Sequence, residues 1–163
     1  MNDQQTGRPP RVICVGNAWR GDDAVGRHAA CLLRERLGPS FDVVESDADG
    51  LALLDLAEGA ESIILIDAVK GAGPPGSTIR LDLSEESRWR SIVPCSSHAL
   101  GIADAIDLAR VLGRLPKRMV LYGVELESDV SGTSLSRPVR EGLANVVEQV
   151  AEEVQGTRCT KFT

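Results

Sequence analysis

Three stretches of this chain carry side chains that could do chemistry together. The first runs from Gly16 through Asn17, Trp19 and Arg20 to Gly21, Asp22 and Asp23, where two carboxylates stand side by side after a glycine-bounded turn. The second is the apolar run Ser-Ile-Ile-Leu-Ile at 62–66, which ends against Asp67, and the third is His98, preceded by Ser96 and Ser97. A helix start normally welcomes an anion. Two acids in that place point instead to a cation. Carboxylates with a neutral imidazole suit borderline divalent ions such as zinc, nickel or manganese. A metal held by three protein ligands keeps open positions, where it can polarise a carbonyl and lower the pKa of a bound water, as peptide hydrolysis requires.

Each residue also has a plainer reading. Asp22 and Asp23 could cap a helix and complement its dipole. Asp67 could be a structural hydrogen-bond acceptor, and His98 a helix-start histidine held by hydroxyls. Their convergence on one edge is worth more than any one of them. His28 falls inside the first helical pattern and is expected to pack in the core or on the surface. Cys95, three residues before His98, raises a Cys–His nucleophile, but nothing near the pair is strongly basic. Trp19 beside Arg20 reads either as a protein-binding anchor or as a lid over the sheet edge.

The elements that must position these residues alternate. Residues 12–15 form an apolar run of strand length, expected to be central, parallel and buried on both faces. A helix over 23–37 follows, with Val25, Ala29, Leu32 and Leu33 as its apolar stripe, stopped by Gly38-Pro39. A strand over 41–45, a short helix over 51–59 and a strand over 62–66 complete a β-α-β-α-β pattern, implying right-handed crossovers. The link 70–77 is too short and too rich in Gly and Pro for a helix, so a strand over 78–83 should run antiparallel at an edge. Residues 84–95 read as a helical turn and a loop. A helix from about His98 to Leu112, a strand over 119–124 and a last helix capped by Ser136 follow. That final helix carries Val139, Leu143, Val146, Val150 and Val154 at 3–4 spacing.

The expected fold is therefore a three-layer α/β sandwich. A five-stranded, mostly parallel twisted sheet has one antiparallel edge strand and helices on both faces. A helix that precedes a parallel strand starts at the carboxyl edge of the sheet, and ligands bind outside that edge. Asp22, Asp23, Asp67 and His98 should meet there.

Composition bounds the rest. At 163 residues the chain has the length of one domain. The expected division is a disordered segment over 1–10, a single α/β domain over 11–155 and a polar tail over 156–163. A net charge of −6 with scattered Lys and Arg argues against nucleic acid. Four cysteines sit at unrelated places, and no secretory or membrane-length apolar run occurs. A reduced, cytoplasmic, membrane-free monomer is the expectation.

The run Gly16-Asn17, then Gly21-Asp22-Asp23-Ala24-Val25-Gly26, the strand ending Ile66-Asp67-Ala68, and Ser97-His98-Ala99-Leu100-Gly101 resemble the nickel–iron hydrogenase maturation proteases. The likeness covers 11–155, including Gly123-Val124 and Leu135-Ser136. It implies an endopeptidase that removes a C-terminal extension from the hydrogenase large-subunit precursor after nickel insertion. The family's metal-contacting trio falls on Asp23, Asp67 and His98. Nickel is implied to arrive with the substrate, and other divalent cations could occupy the site in vitro. The chain departs from the family at Ala24, often glycine in relatives, at Ser46-Asp47-Ala48, which replaces a glycine-rich turn, and at Glu125-Leu126-Glu127, where relatives often carry a proline.

Two other functions compete. Residues 16–21 approximate a G-x-A-x-x-G turn, and Glu45 lies about where a Rossmann-like module keeps its ribose-binding acid. A pyrophosphate there would meet Asp22 and Asp23, which argues against it. The second is a non-catalytic, chaperone-like binder that uses the same trio only to check for nickel.

Overall fold

The computed structural model describes residues 8–47, 50–84, 95–96, 102–127, 132 and 134–159. Its elements in chain order are β1 (Arg11–Val15), a 3-10 turn (Gly21–Ala24), α1 (Val25–Leu37), β2 (Val43–Ser46), α2 (Gly50–Ala57) and β3 (Ser62–Lys70). They continue with β4 (Thr78–Asp82), β5 (Cys95–Ser96), α3 (Ile102–Val111), β6 (Arg118–Glu125) and α4 (Arg137–Cys159). Their strands form one sheet in the order β2-β1-β3-β6-β4, with β5 paired to β3. Neighbours β2, β1, β3 and β6 are mutually parallel, and β4 runs antiparallel to β6 at the edge, as the short 70–77 link requires.

The strand β3 is the axis because it is apolar on both faces. Ile63, Ile64, Leu65 and Ile66 are fully buried, each contributing about 1.5–3 kcal/mol of transfer free energy. Side chains alternate across the sheet, so Ile64, Ile66 and Ala68 join Val25, Ala29 and Leu33 of α1 and Val139, Val146 and Val150 of α4 on one side. Ile63 and Leu65 join Leu53 of α2 and Ile102 and Ile106 of α3 on the other. Helices α1 and α4 therefore cover one face, and α2 and α3 the other.

Several details differ from the sequence reading. Strand β3 does not stop at Asp67 but continues to Lys70, paired all along with β6 through Val69 and Glu125. Cys95 stands in a strand, not a loop, because β3's extension gives it a partner: Lys70 pairs with Cys95 and Val69 with Ser96, antiparallel. Leu32 is 41% exposed and does not belong to the α1 stripe. Ser136 does not cap α4: its hydroxyl is buried without a hydrogen-bond partner among the described residues. Helix α4 runs to Cys159, past the boundary drawn at 155. Pro10, inside the expected disordered segment, is buried against the domain. His98 and the rest of 97–101 lie outside the described residues, as do 85–94.

Candidate active site

The site is built from the turn after β1. There the chain must leave a buried strand and start a helix directly over it, and three glycines make this possible. A Cβ on Gly26 would lie 2.0 Å from the carbonyl oxygen of Val15, and one on Gly16 would lie 2.7 Å from that of Asp23. Gly21 adopts φ 52, a left-handed conformation that costs side-chain-bearing residues energy. Backbone bonds close the turn: Asn17 N–H donates to the Asp23 carbonyl at 3.1 Å, Asp23 N–H to the Arg20 carbonyl at 3.0 Å, and Gly21 N–H to the Gly132 carbonyl at 2.9 Å.

This geometry separates two acids that look equivalent in the sequence. Both are buried, Asp22 at 3% and Asp23 at 1% exposure. Both lie inside the 3-10 turn, and α1 begins after Ala24 with no side-chain cap, so neither caps that helix. Asp22 is spent on architecture. Its Oδ1 accepts the backbone N–H of Ser136 at 2.6 Å and its Oδ2 that of Glu127 at 3.1 Å. It thereby ties the first turn to the chain leaving β6 and to the start of α4.

Asp67 is fully buried in the middle strand. Its Oδ1 accepts the N–H of the next residue, Ala68, at 2.8 Å. The register explains that bond. Strand β1 pairs with β3 as far as Ile66, while β5 takes up pairing at Val69. With β6 occupying the other side through Glu125, β5 sits in the lane that β1 vacates. Asp67 stands at the break, where its own carboxylate satisfies a strand N–H. Alternation puts Asp67 on the face of Ile63 and Leu65, the one covered by α2 and α3. The 3-10 turn that holds Asp23 packs against β3.

A fourth buried carboxylate figured in the sequence only as part of a departure from the family pattern, not as a site residue. Glu125, 8% exposed at the end of β6, accepts the N–H of Gly71 at 3.0 Å and of Ala72 at 2.6 Å. Its backbone also bonds Gly76 and Ser77. It holds the glycine-rich link, and with it β3's extension, against the sheet. An acid at a strand end facing a loop rich in free N–H groups was the available signal.

Other residues fall away from the rim chemistry. His28 is exposed on α1, in a shallow groove with Leu135 and Leu143. Burial pushes the Cys14 thiol up to about 12, which leaves it an inert core residue. Glu45 is engaged by Arg34 at 2.5 Å and by Arg27 at 3.6 Å, so the acid assigned to a ribose in the nucleotide-binding reading is already neutralised. Among the described residues no three His, Cys, Asp or Glu side chains form a metal-holding group; His98 is outside that set.

The sheet order and the helices on both faces define an α/β sandwich domain with acids buried after β1 and within β3, and comparison with known proteins makes the assignment specific. Residues 28–153 match the family model of the hydrogenase maturation proteases, and the chain belongs to that family. It is 28% identical over 141 residues to the hydrogenase 2 maturation protease of Escherichia coli, covering 85% of this chain and 86% of that one. It is also 28% identical to the hydrogenase expression/formation protein HupD of Thiocapsa roseopersicina, of which it spans only 65% while 86% of this chain is covered. The solved structure of the hydrogenase maturating endopeptidase HybD from Escherichia coli superposes with a TM-score of 0.75 at 26% identity, covering 92% of this chain and 94% of that one.

Proposed function

We propose that this protein is the endopeptidase that removes the C-terminal extension of a nickel–iron hydrogenase large-subunit precursor after nickel insertion, with Asp23, Asp67 and His98 as the residues that contact the metal. The observation that carries the reading is the pair of buried acids at one rim, joined by the register of β5. Ser96, two residues before His98, pairs with Val69, two residues after Asp67. Helix α3 then resumes at Ile102, on the face to which Asp67 belongs. In the sequence His98 falls between these two points.

The donor set fits the proposed cargo, since two carboxylates and an imidazole suit nickel as well as zinc or manganese. The nickel is part of the substrate. Binding it orients the precursor so that the scissile peptide lies along the rim. Asp23 and Asp67, held in a dry and rigid frame, can orient a water or act as general base towards the carbonyl carbon. Of the cysteines, Cys14 is buried in the core and Cys31 is exposed on α1. The reaction takes place on a monomer in the cytoplasm. No helix among the described residues is long and apolar enough to cross a membrane.

The test is the mass of a nickel-loaded precursor before and after incubation with wild type, Asp23→Asn, Asp67→Asn and His98→Ala. The wild type should release one C-terminal fragment, and each variant should slow release by about 10²–10⁴-fold. Complex formation with no loss of mass in the wild type would make the protein a nickel-checking binder. Unimpaired turnover by both Asp67→Asn and His98→Ala would end the trio.

A further inference from the structure

We propose that Trp19 is a docking anchor for the precursor protein, seated on an apolar stretch of that chain within a few residues of the bond to be cut. The proposal rests on the peptidase reading and names the surface by which the substrate is held. Trp19 is 77% exposed, an unusual state for a residue that is highly buried on average. It is not exposed because its loop is loose. Its backbone N–H donates to Asn17 Oδ1 at 3.0 Å, Arg20 N–H donates to the Asn17 carbonyl at 3.3 Å, and Gly21 N–H donates to the Gly132 carbonyl. A rigidly mounted indole has only its two side-chain torsions left to lose on binding, which is why such rings serve as interface anchors.

Position identifies the partner. Trp19 precedes Asp23 by four residues, so chain geometry keeps the two within about 14 Å, the reach of about four extended residues. Any polypeptide with its scissile bond at Asp23 can therefore reach the indole with a short adjoining segment. Apart from exposed Arg20, the surroundings favour an apolar contact. Arg27 is bonded to Asp47 and Glu45, and Arg34 to Glu45, so the charges beside the end of β2 are satisfied among themselves. Leu51, 53% exposed at the start of α2, opens on the same rim, because β1 and β2 are parallel neighbours. Another exposed apolar group, Leu108, Val111 and Leu112, lies at the far end of α3 and so at the opposite rim.

The chain has two tryptophans, Trp19 and Trp89, so 5-fluorotryptophan labelling gives two 19F NMR lines that Trp19→Phe assigns. Addition of nickel-loaded precursor to labelled Asp67→Asn protein should move the Trp19 line. Trp19→Ala should raise KM about five- to thirty-fold, as expected for an interface anchor, with kcat within about twofold, and Trp19→Phe should recover most of the loss. Failure of the wild type to cleave, with the Trp19 line still shifting, would overturn the peptidase reading and support the anchor. Normal cleavage with an unmoved line and an unchanged KM in Trp19→Ala would overturn the anchor alone. A line that shifts with the protein's own concentration, in step with self-association lost in Trp19→Ala, would assign the surface to a second copy of this chain and likewise overturn it.

Discussion

Two adjacent aspartates with different duties make a sharp test of the site. Asp22 holds two backbone N–H groups, those of Ser136 at 2.6 Å and Glu127 at 3.1 Å. A hydrogen bond to a charged acceptor contributes about 1.5–3 kcal/mol, and removing the acceptor leaves the donors short of a partner. The two bonds share one carboxylate and do not simply add, so Asp22→Ala should cost about 3–5 kcal/mol. At about 2–4 °C per kcal/mol for a domain of this size, that is a fall of roughly 6–20 °C in Tm. Asp22→Asn keeps one acceptor but turns an NH2 towards the other N–H, and should cost about 2–3 kcal/mol. Asp23→Asn should slow precursor cleavage by at least about 100-fold. Urea unfolding followed by circular dichroism, alongside the mass assay, separates the two effects. An Asp22→Ala protein within about 0.5 kcal/mol of wild type, or an Asp23→Asn protein that cleaves at the wild-type rate, would refute the division of labour.

Three further outcomes follow from the same structure. Gly26→Ala places a Cβ 2.0 Å from the Val15 oxygen, where only backbone movement relieves the overlap; soluble yield and Tm should drop together, by more than for Ala at exposed Gly156. Burial disfavours the Glu153 charge, but hydrogen bonds from Arg80, Tyr122 and Arg118 outweigh it and hold the carboxyl below its ordinary 4.5. Because that folded value is depressed, its stabilisation is complete above the unfolded pKa and is lost as pH falls through the folded one; the stability gap between wild type and Glu153→Gln should be constant near neutrality and shrink below about pH 4.5. In a Cys95→Ser/Cys159→Ser background, Ellman's reagent at neutral pH should label exposed Cys31 within minutes and buried Cys14 only on unfolding; equal labelling of both would contradict the packing of β1.

The fold was legible wherever local pattern and burial agreed. Residues 12–15, 62–66 and 119–124 are continuous apolar runs, and buried parallel strands have no other way to look. Val139 to Val154 announces α4 by spacing alone. The antiparallel β4 followed from a link too short to cross over. What escaped detection depended on partners distant in the chain. Asp67 interrupts an apolar run, so the pattern ends there, but pairing with Gly123, Val124 and Glu125 carries β3 on to Lys70. Two-residue β5 has no local signature and exists because that extension offers it an edge. Asp22 and Asp23 are indistinguishable by type and neighbours, and their separation lies in bonds to backbone groups more than 100 positions away. Leu32 matched the helical spacing but faces outwards, at the margin of the α1 stripe. Ser136 was the right residue for a cap; instead its N–H is drawn to Asp22.

The carboxylates of Asp22 and Glu125 fasten the rim by gripping main-chain amides, those of Glu127, Ser136, Gly71 and Ala72, and not the side chains at those positions. Every amino acid except proline supplies such an amide. The loops around the rim can therefore change their chemical lettering while their outline stays pinned, with Asp22 and Glu125 serving as fixed rivets. A scaffold fastened this way lets the side chains on those loops drift by substitution alone, without re-engineering the frame that carries Asp23 and Asp67.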